Sequence, residues 1–167
     1  MDRVEQLFNS MDPSPFQERD LDDDAEEFIV SWAQEFPRRD PVSLVIHVNQ
    51  APAQPDAQHL VETAVHHYFA YRAKLKWLEF RHLLKEGRTS LIIGLVFLAA
   101  CLITSQLLRR QAGTLPIVIR EGLIIAGWVA MWRPMEIFLY EWWPLLRKGR
   151  LYQKLGRMRV EVRKRGE

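Results

Sequence analysis

The sequence predicts a membrane α-helical hairpin of two transmembrane helices. A small cytoplasmic α+β domain, formed by the N-terminal region and a C-terminal strand, accompanies it. Three observations carry that expectation. Two apolar stretches, residues 89–108 and residues 117–143, are each long enough to cross a bilayer. Charge is segregated: residues 1–71 hold 14 acids and 4 bases, net −10, while residues 72–167 hold 7 acids and 19 bases, net +12. Two short segments far apart in the chain alternate apolar and polar residues, and neither has a local partner. The expected organisation is an N-terminal cytoplasmic domain with a long juxtamembrane helix over residues 1–87, the hairpin over 88–144, and a basic tail over 145–167.

At the N-terminus, Asp12-Pro13 and Ser14-Pro15 disfavour helix, so a short helical turn and an arm are expected, with Phe8 and Phe16 as docking side chains. Acidic residues and the lack of an apolar run argue against a signal peptide there. Residues 20–36 read as a soluble helix. Leu21, Ala25, Phe28, Ile29, Trp32 and Phe36 recur at three- and four-residue spacing as one apolar face. Asp20 or Asp22 can cap it, and the acids through Glu27 complement the positive end of its dipole. They lack the alternating ligands and glycine of a calcium loop.

Pro37 and Pro41 stop that helix. In VSLVIHV, Val42, Leu44, Ile46 and Val48 then form one apolar face of a strand. Near the C-terminus, Met158, Val160 and Val162 alternate with charged residues in the same way. A lone strand cannot satisfy its backbone, so the two are expected side by side. After the loop NQAPAQP, a helix is expected from Asp56, its cap, to Glu86, with Gly87 as its end or a hinge. Its face reads Leu60, Ala64, His67 or Tyr68, Tyr71, Leu75, Leu78 and Leu83. Its second half is basic and aromatic, suited to lying on headgroups or to forming a stalk.

Residues 89–108 are 20 uncharged residues, about 30 Å of helix. Ala100 with Thr104, and Cys101 with Ser105, offer small faces. A short link leads to the second span, in which Gly122, Ala126 and Ala130 recur every fourth residue and form the expected helix-contact face. Arg133 and Glu136 are expected to pair at i, i+3 as an intramembrane or interfacial charge pair, with Pro134 kinking the helix between them. Trp128, Trp132, Tyr140, Trp142 and Trp143 make an aromatic belt at headgroup depth. Residues 72–88 hold six Lys/Arg, residues 109–120 three and residues 147–165 nine, which predicts both termini in the cytoplasm.

No catalytic set, metal-ligand spacing or phosphate-binding glycine loop can be placed. No enzyme activity, cofactor, metal or small-molecule substrate is therefore expected. His59, His66, His67 and His82 share one helix without an i, i+4 pair. Cys101 is the single cysteine and reads as a packing residue. The bases hug the apolar spans, so the bilayer rather than nucleic acid is the expected partner. Self-association or another membrane protein is expected beside it.

The phrases MDPSPFQERDLDDDAEEFIVSWA, GRTSLIIGLVFLAACL and REGLIIAGWVAMWRPMEIFLYEWWP together resemble a family of small two-span proteobacterial inner-membrane proteins. The resemblance covers most of the chain. It implies a bacterial inner (cytoplasmic) membrane location, carries no established activity, and transfers no site residue. The expected function is that of an accessory or scaffolding protein acting through protein contacts. The alternative is a homo-oligomeric ion channel or transport module built from two-helix hairpins.

Overall fold

A computed structural model describes residues 4–37, 40–49, 57–110 and 113–164. The expected loop at 49–55, apart from Asn49, and the cap at Asp56 lie outside the described residues. The order is α1 (Asp23–Glu35), β1 (Ser43–Val48), α2 (Ala57–Leu108), α3 (Thr114–Ala130), α4 (Trp132–Glu136), a π-helical stretch (Ile137–Glu141), α5 (Trp142–Leu155) and β2 (Arg159–Lys164). Two helical stretches, within α2 and from α3 through α5, are long and apolar enough to cross a membrane. The chain divides into two compact units: Met1–Trp77 with Arg147–Glu167, and Leu78–Leu146. The expected boundary at residue 87 falls inside the second unit.

The first unit has a mixed core. An N-terminal 3-10 turn, Val4–Leu7, precedes an antiparallel bridge between Phe8 and Leu21. Asn9 N–H donates to the Asp20 carbonyl at 2.9 Å and Asp22 N–H to that of Leu7 at 3.0 Å. Phe8 is buried and meets Phe16 at 4.8 Å between ring centres, so the arm docks as its two phenylalanines suggest. The Asp12 carboxylate accepts from the Asp20 and Ser14 amides, which hold its pKa below the ordinary value. Asp22 caps α1, accepting from Asp24 N–H at 3.1 Å.

β1 and β2 pair in parallel, Leu44 opposite Val160 and Ile46 opposite Val162. Ile46, Val48 and Val160 are buried, as the alternation requires. A parallel pair needs a crossover, and here all of α2–α5 supplies it. On the outer face Glu161 pairs with Arg159 at 2.8 Å and Arg163 at 2.7 Å, and Arg163 above all lowers its pKa.

Two expected faces are met in part and rotated: Leu21 and Ile29 of the first, and Ala64 and Tyr68 of the second, are buried as expected. On α1 the buried residues are Glu26, Ile29 and Ala33, while Phe28, Trp32 and Phe36 are exposed. A stripe read every third and fourth residue fixes the period of a helix but not which edge of the stripe meets the core. On the first part of α2 the core takes Val61, Ala64, Val65, Tyr68, Phe69 and Ala73, leaving Tyr71 and Leu78 exposed.

The second unit corrects the readings of Gly87 and of the contact face. Gly87 neither ends nor hinges α2, which runs on to Leu108. A Cβ there would stand 2.7 Å from Ile137 Cγ2, so the glycine is required by close packing. The helices approach at Gly94 and Gly127: a Cβ at Gly127 would meet Leu98 Cδ1 at 2.8 Å and Cys101 Cβ at 3.3 Å. Cys101 and Ser105 are buried, so that small face of the first apolar stretch is used. Gly122 and Ala126 are exposed, and nothing lies within 4 Å of a Cβ at Gly122. Within the chain, therefore, the expected contact face is not the one that packs. Only Ala130 takes part, its carbonyl lying 3.0 Å from a Cβ built on Gly94. Helix α3 turns its neighbouring residue, Gly127, to the contact, about 100° around the axis from Ala126.

The break between α3 and α4 falls at Met131, one turn before Pro134. Proline has no N–H to bond the carbonyl four residues back, that of Ala130, and its ring crowds it. Gly94 leaves room for that displaced carbonyl.

Candidate functional site

Three arrangements of side chains stand out. The first surrounds Arg133, which α4 presents beside α2. Its guanidinium reaches Glu86 on α2 at 2.8 Å, Glu136 at 3.6 Å, and Glu141. The expected i, i+3 pair exists, but it is the longest of the three contacts. Trp132 Nε1–H donates to Glu136 at 3.1 Å and helps hold that carboxylate. The π-helical stretch explains Glu141. In an α-helix, residues five apart point about 140° from one another. Where bonds run i to i+5, Glu136 and Glu141 come nearly into line and meet the same arginine. All four side chains are between about a third and a half exposed. Exposed pairs of this kind add little in water and more where lipid replaces water.

The aromatic residues around this node are exposed. Trp128, Trp132, Tyr140 and Trp143 each present more than half of their surface. Trp142 is half-buried, donates its indole N–H to the Phe138 carbonyl at 2.8 Å, and stands edge-on to Trp143.

The second arrangement is a buried carboxylate in the first unit, one the sequence reading assigned to the helix dipole. Glu26 accepts from Tyr68 Oη at 2.5 Å, from Tyr152 Oη at 2.8 Å, and from Arg72 Nη2 and Nε at 2.8 and 3.1 Å. Tyr68 and Arg72 are i, i+4 on α2, and Tyr152 is on α5, so one carboxylate ties three helices together. Burial pushes the Glu26 pKa up, but the bonds from Tyr68, Tyr152 and Arg72 outweigh it and hold the carboxyl below its ordinary value. Burial, and then Glu26 itself, raises the pKa of both tyrosines. Arg72 also lies over both rings at 5.8–5.9 Å. With four hydrogen bonds on the carboxylate and the phenols held protonated, this cluster locks the three helices together. His66 adds a second tie, Nε2–H donating to the Met158 carbonyl at 2.7 Å.

The third is the exposed stripe Phe28, Trp32 and Phe36 on α1, with Phe28 and Trp32 rings 6.0 Å apart. Asp23, Asp24, Glu27 and Glu35 on the same helix are exposed. Among the described residues no group of His, Cys, Asp or Glu could hold a metal ion. Comparison with family models, with curated proteins and with solved structures found no match.

Proposed function

We propose that the protein is an integral inner-membrane accessory or scaffolding protein whose first unit engages a partner on the cytoplasmic side. The α1 stripe carries this reading. Glu26, Ile29 and Ala33 already close the unit's own core, so the fold does not require three further aromatics on α1, yet each is half or more exposed. Large exposed apolar patches rimmed by polar groups mark interaction surfaces, and Trp and Phe are enriched at such interfaces. The acidic rim selects a partner surface with basic residues around an apolar centre.

Purification in mild detergent with mass determination tests it. A foreign subunit in fixed stoichiometry is the expected result. Trp32→Ala should weaken that association by about 2 kcal/mol or more, as aromatic anchors do, while changing the chain's own stability by less than about 0.5 kcal/mol. Retention of the partner by the variant would sink the stripe's role.

A ring of identical chains and no foreign subunit would instead favour the second reading, a homo-oligomeric channel or transport module. The observation on its side is that three carboxylates face the one guanidinium of Arg133.

Orientation is part of the proposal. The distribution of bases supports both termini in the cytoplasm and the link between the spans outside. In a Cys101→Ser background, a membrane-impermeant thiol reagent added to intact cells should label Cys placed at Gly113 and miss Cys placed at Ser10. Labelling at Ser10 would reverse the topology.

A further inference from the structure

We infer that a cavity in the first unit binds a soluble phosphate monoester, its phosphate at Lys74 and Arg157 and a small organic body against Trp77. The cavity has a volume of about 370 Å³, within the range of small-molecule sites. One wall is a single face of α2, where Ala70, Ala73, Lys74 and Trp77 recur at i, i+3, i+4 and i+7. The other is Gln153 on α5, with Gly156 and Arg157 in the turn that follows it. Gly156 lets this turn close on α2, since a Cβ there would stand 3.3 Å from the Ala70 nitrogen. Two bases far apart in the chain thereby line one opening.

Charge selects the ligand. The lining holds two cations and no carboxylate. Elsewhere in the unit, Arg72, Arg159 and Arg163 each have a carboxylate partner. The side chains of Lys74 and Arg157 have no hydrogen-bond or ion-pair partner among the described residues. Two like charges lining one cavity repel, and a doubly charged anion relieves both at once. A phosphate monoester carries about −1.5 to −2 at neutral pH, and its oxygens accept from a guanidinium fork and an ammonium together. A phosphodiester or carboxylate carries less. The carbonyls of Tyr152, Lys154 and Leu155 at the end of α5 already accept from the Gly156, Arg157 and Met158 amides, which weakens the negative helix end that an anion would meet. Ala70, Ala73 and Trp77 leave an apolar surface beside the bases for the organic body.

Titration calorimetry of the full chain in mild detergent tests the site, with phenyl phosphate as the probe and phenol as the phosphate-free control. The wild type should bind one equivalent of phenyl phosphate and no phenol. Lys74→Gln/Arg157→Gln should bind it at least about tenfold more weakly. The exchange Lys74→Arg/Arg157→Lys keeps both charges and should stay within about threefold of the wild type, which traces any loss to charge rather than folding. Arg150→Gln, an exposed base of the same unit outside the cavity, should match the wild type. Trp77→Leu should weaken phenyl phosphate more than inorganic phosphate. No binding by the wild type, undiminished binding by the double Gln variant, an equal loss in Arg150→Gln, or equal binding of phenol would each overturn the assignment. A second titration, with phosphatidylglycerol or diacylglycerol added to the detergent, separates the two sources of phosphate. Unchanged affinity in both supports a soluble ligand, while loss with phosphatidylglycerol alone assigns the site to a lipid headgroup and overturns the soluble monoester.

Discussion

Glu26→Ala should loosen α1 from the first unit by about 3 kcal/mol. The carboxylate is only 8% exposed and accepts from two buried tyrosines and an arginine. Removing one partner of such a set leaves the others desolvated and unpaired, which costs more than the hydrogen bonds contribute in a neutral comparison. The figure is at the lower end for breaking a buried ion pair because the Arg72 side chain is 37% exposed and can turn to water. Tyr68 and Tyr152 have no such escape. Hydrogen exchange of the α1 amides in detergent reads the effect locally, with protection lost across Asp23–Glu35 ahead of the rest of the unit. Unchanged protection would mean that apolar contacts from Ile29 and Ala33 suffice to hold the helix.

The same carboxylate sets an acid limit whose sign follows from its lowered pKa. In the unfolded chain a glutamate takes its proton near pH 4.3, while in the folded unit Glu26 stays ionised to lower pH. Its contribution is therefore complete above about pH 4.3 and is lost as pH falls through the folded value. Asp12 and Glu161 are lowered as well, so acid sensitivity of the wild type alone does not isolate Glu26. The difference between wild type and Glu26→Gln does: it should be constant from neutral pH to about pH 5 and shrink below about pH 4. A difference that grew in acid would contradict the lowered pKa.

Periodicity and charge made the elements legible, whereas facing and partnership were not. The alternation in β1 and β2 pointed to pairing because a strand's two faces differ in sequence, but nothing in either segment encoded that they run parallel. Helix α1 was legible as a helix and misread in orientation. Ile29 of the expected face is buried, but Glu26 and Ala33 turn inward in place of the aromatics, and Glu26 meets Tyr68 and Tyr152, which lie 42 and 126 residues away. Arg133 with Glu136 was legible as a local pair. Glu86 was not, being 47 residues distant, and Glu141 became a neighbour only through a π-helical stretch with no strong sequence signature. Phe28, Trp32 and Phe36 show the same limit from the functional side. Spacing marked them as a stripe, and their exposure sets them apart from a core face.

Gly127→Leu should be the most damaging single change among the small residues of the second apolar stretch, while Ala126→Leu should be mild. At Gly127 even a methyl carbon would stand 2.8 Å from Leu98 Cδ1, 3.3 Å from Cys101 Cβ and 3.5 Å from Leu98 Cα. The first of these atoms can rotate away, but the other two are fixed to α2, so a leucine has to push the helices apart. Overpacking of that kind costs about 1–3 kcal/mol, or roughly 2–12 °C in thermal midpoint for a chain of this size. Ala126 faces outward, so the longer side chain meets detergent or lipid and the single chain loses less than about 0.5 kcal/mol. Thermal midpoints of both variants in mild detergent, with the oligomeric mass followed in parallel, decide what the Gly122–Ala126 stripe is for. If Ala126→Leu leaves midpoint and mass unchanged, the stripe makes no protein contact and the two stretches pack through Gly87, Gly94 and Gly127. If it lowers the mass without unfolding the chain, the stripe packs against a second copy or another protein, because only a neighbour outside this chain can feel a side chain added to an exposed position.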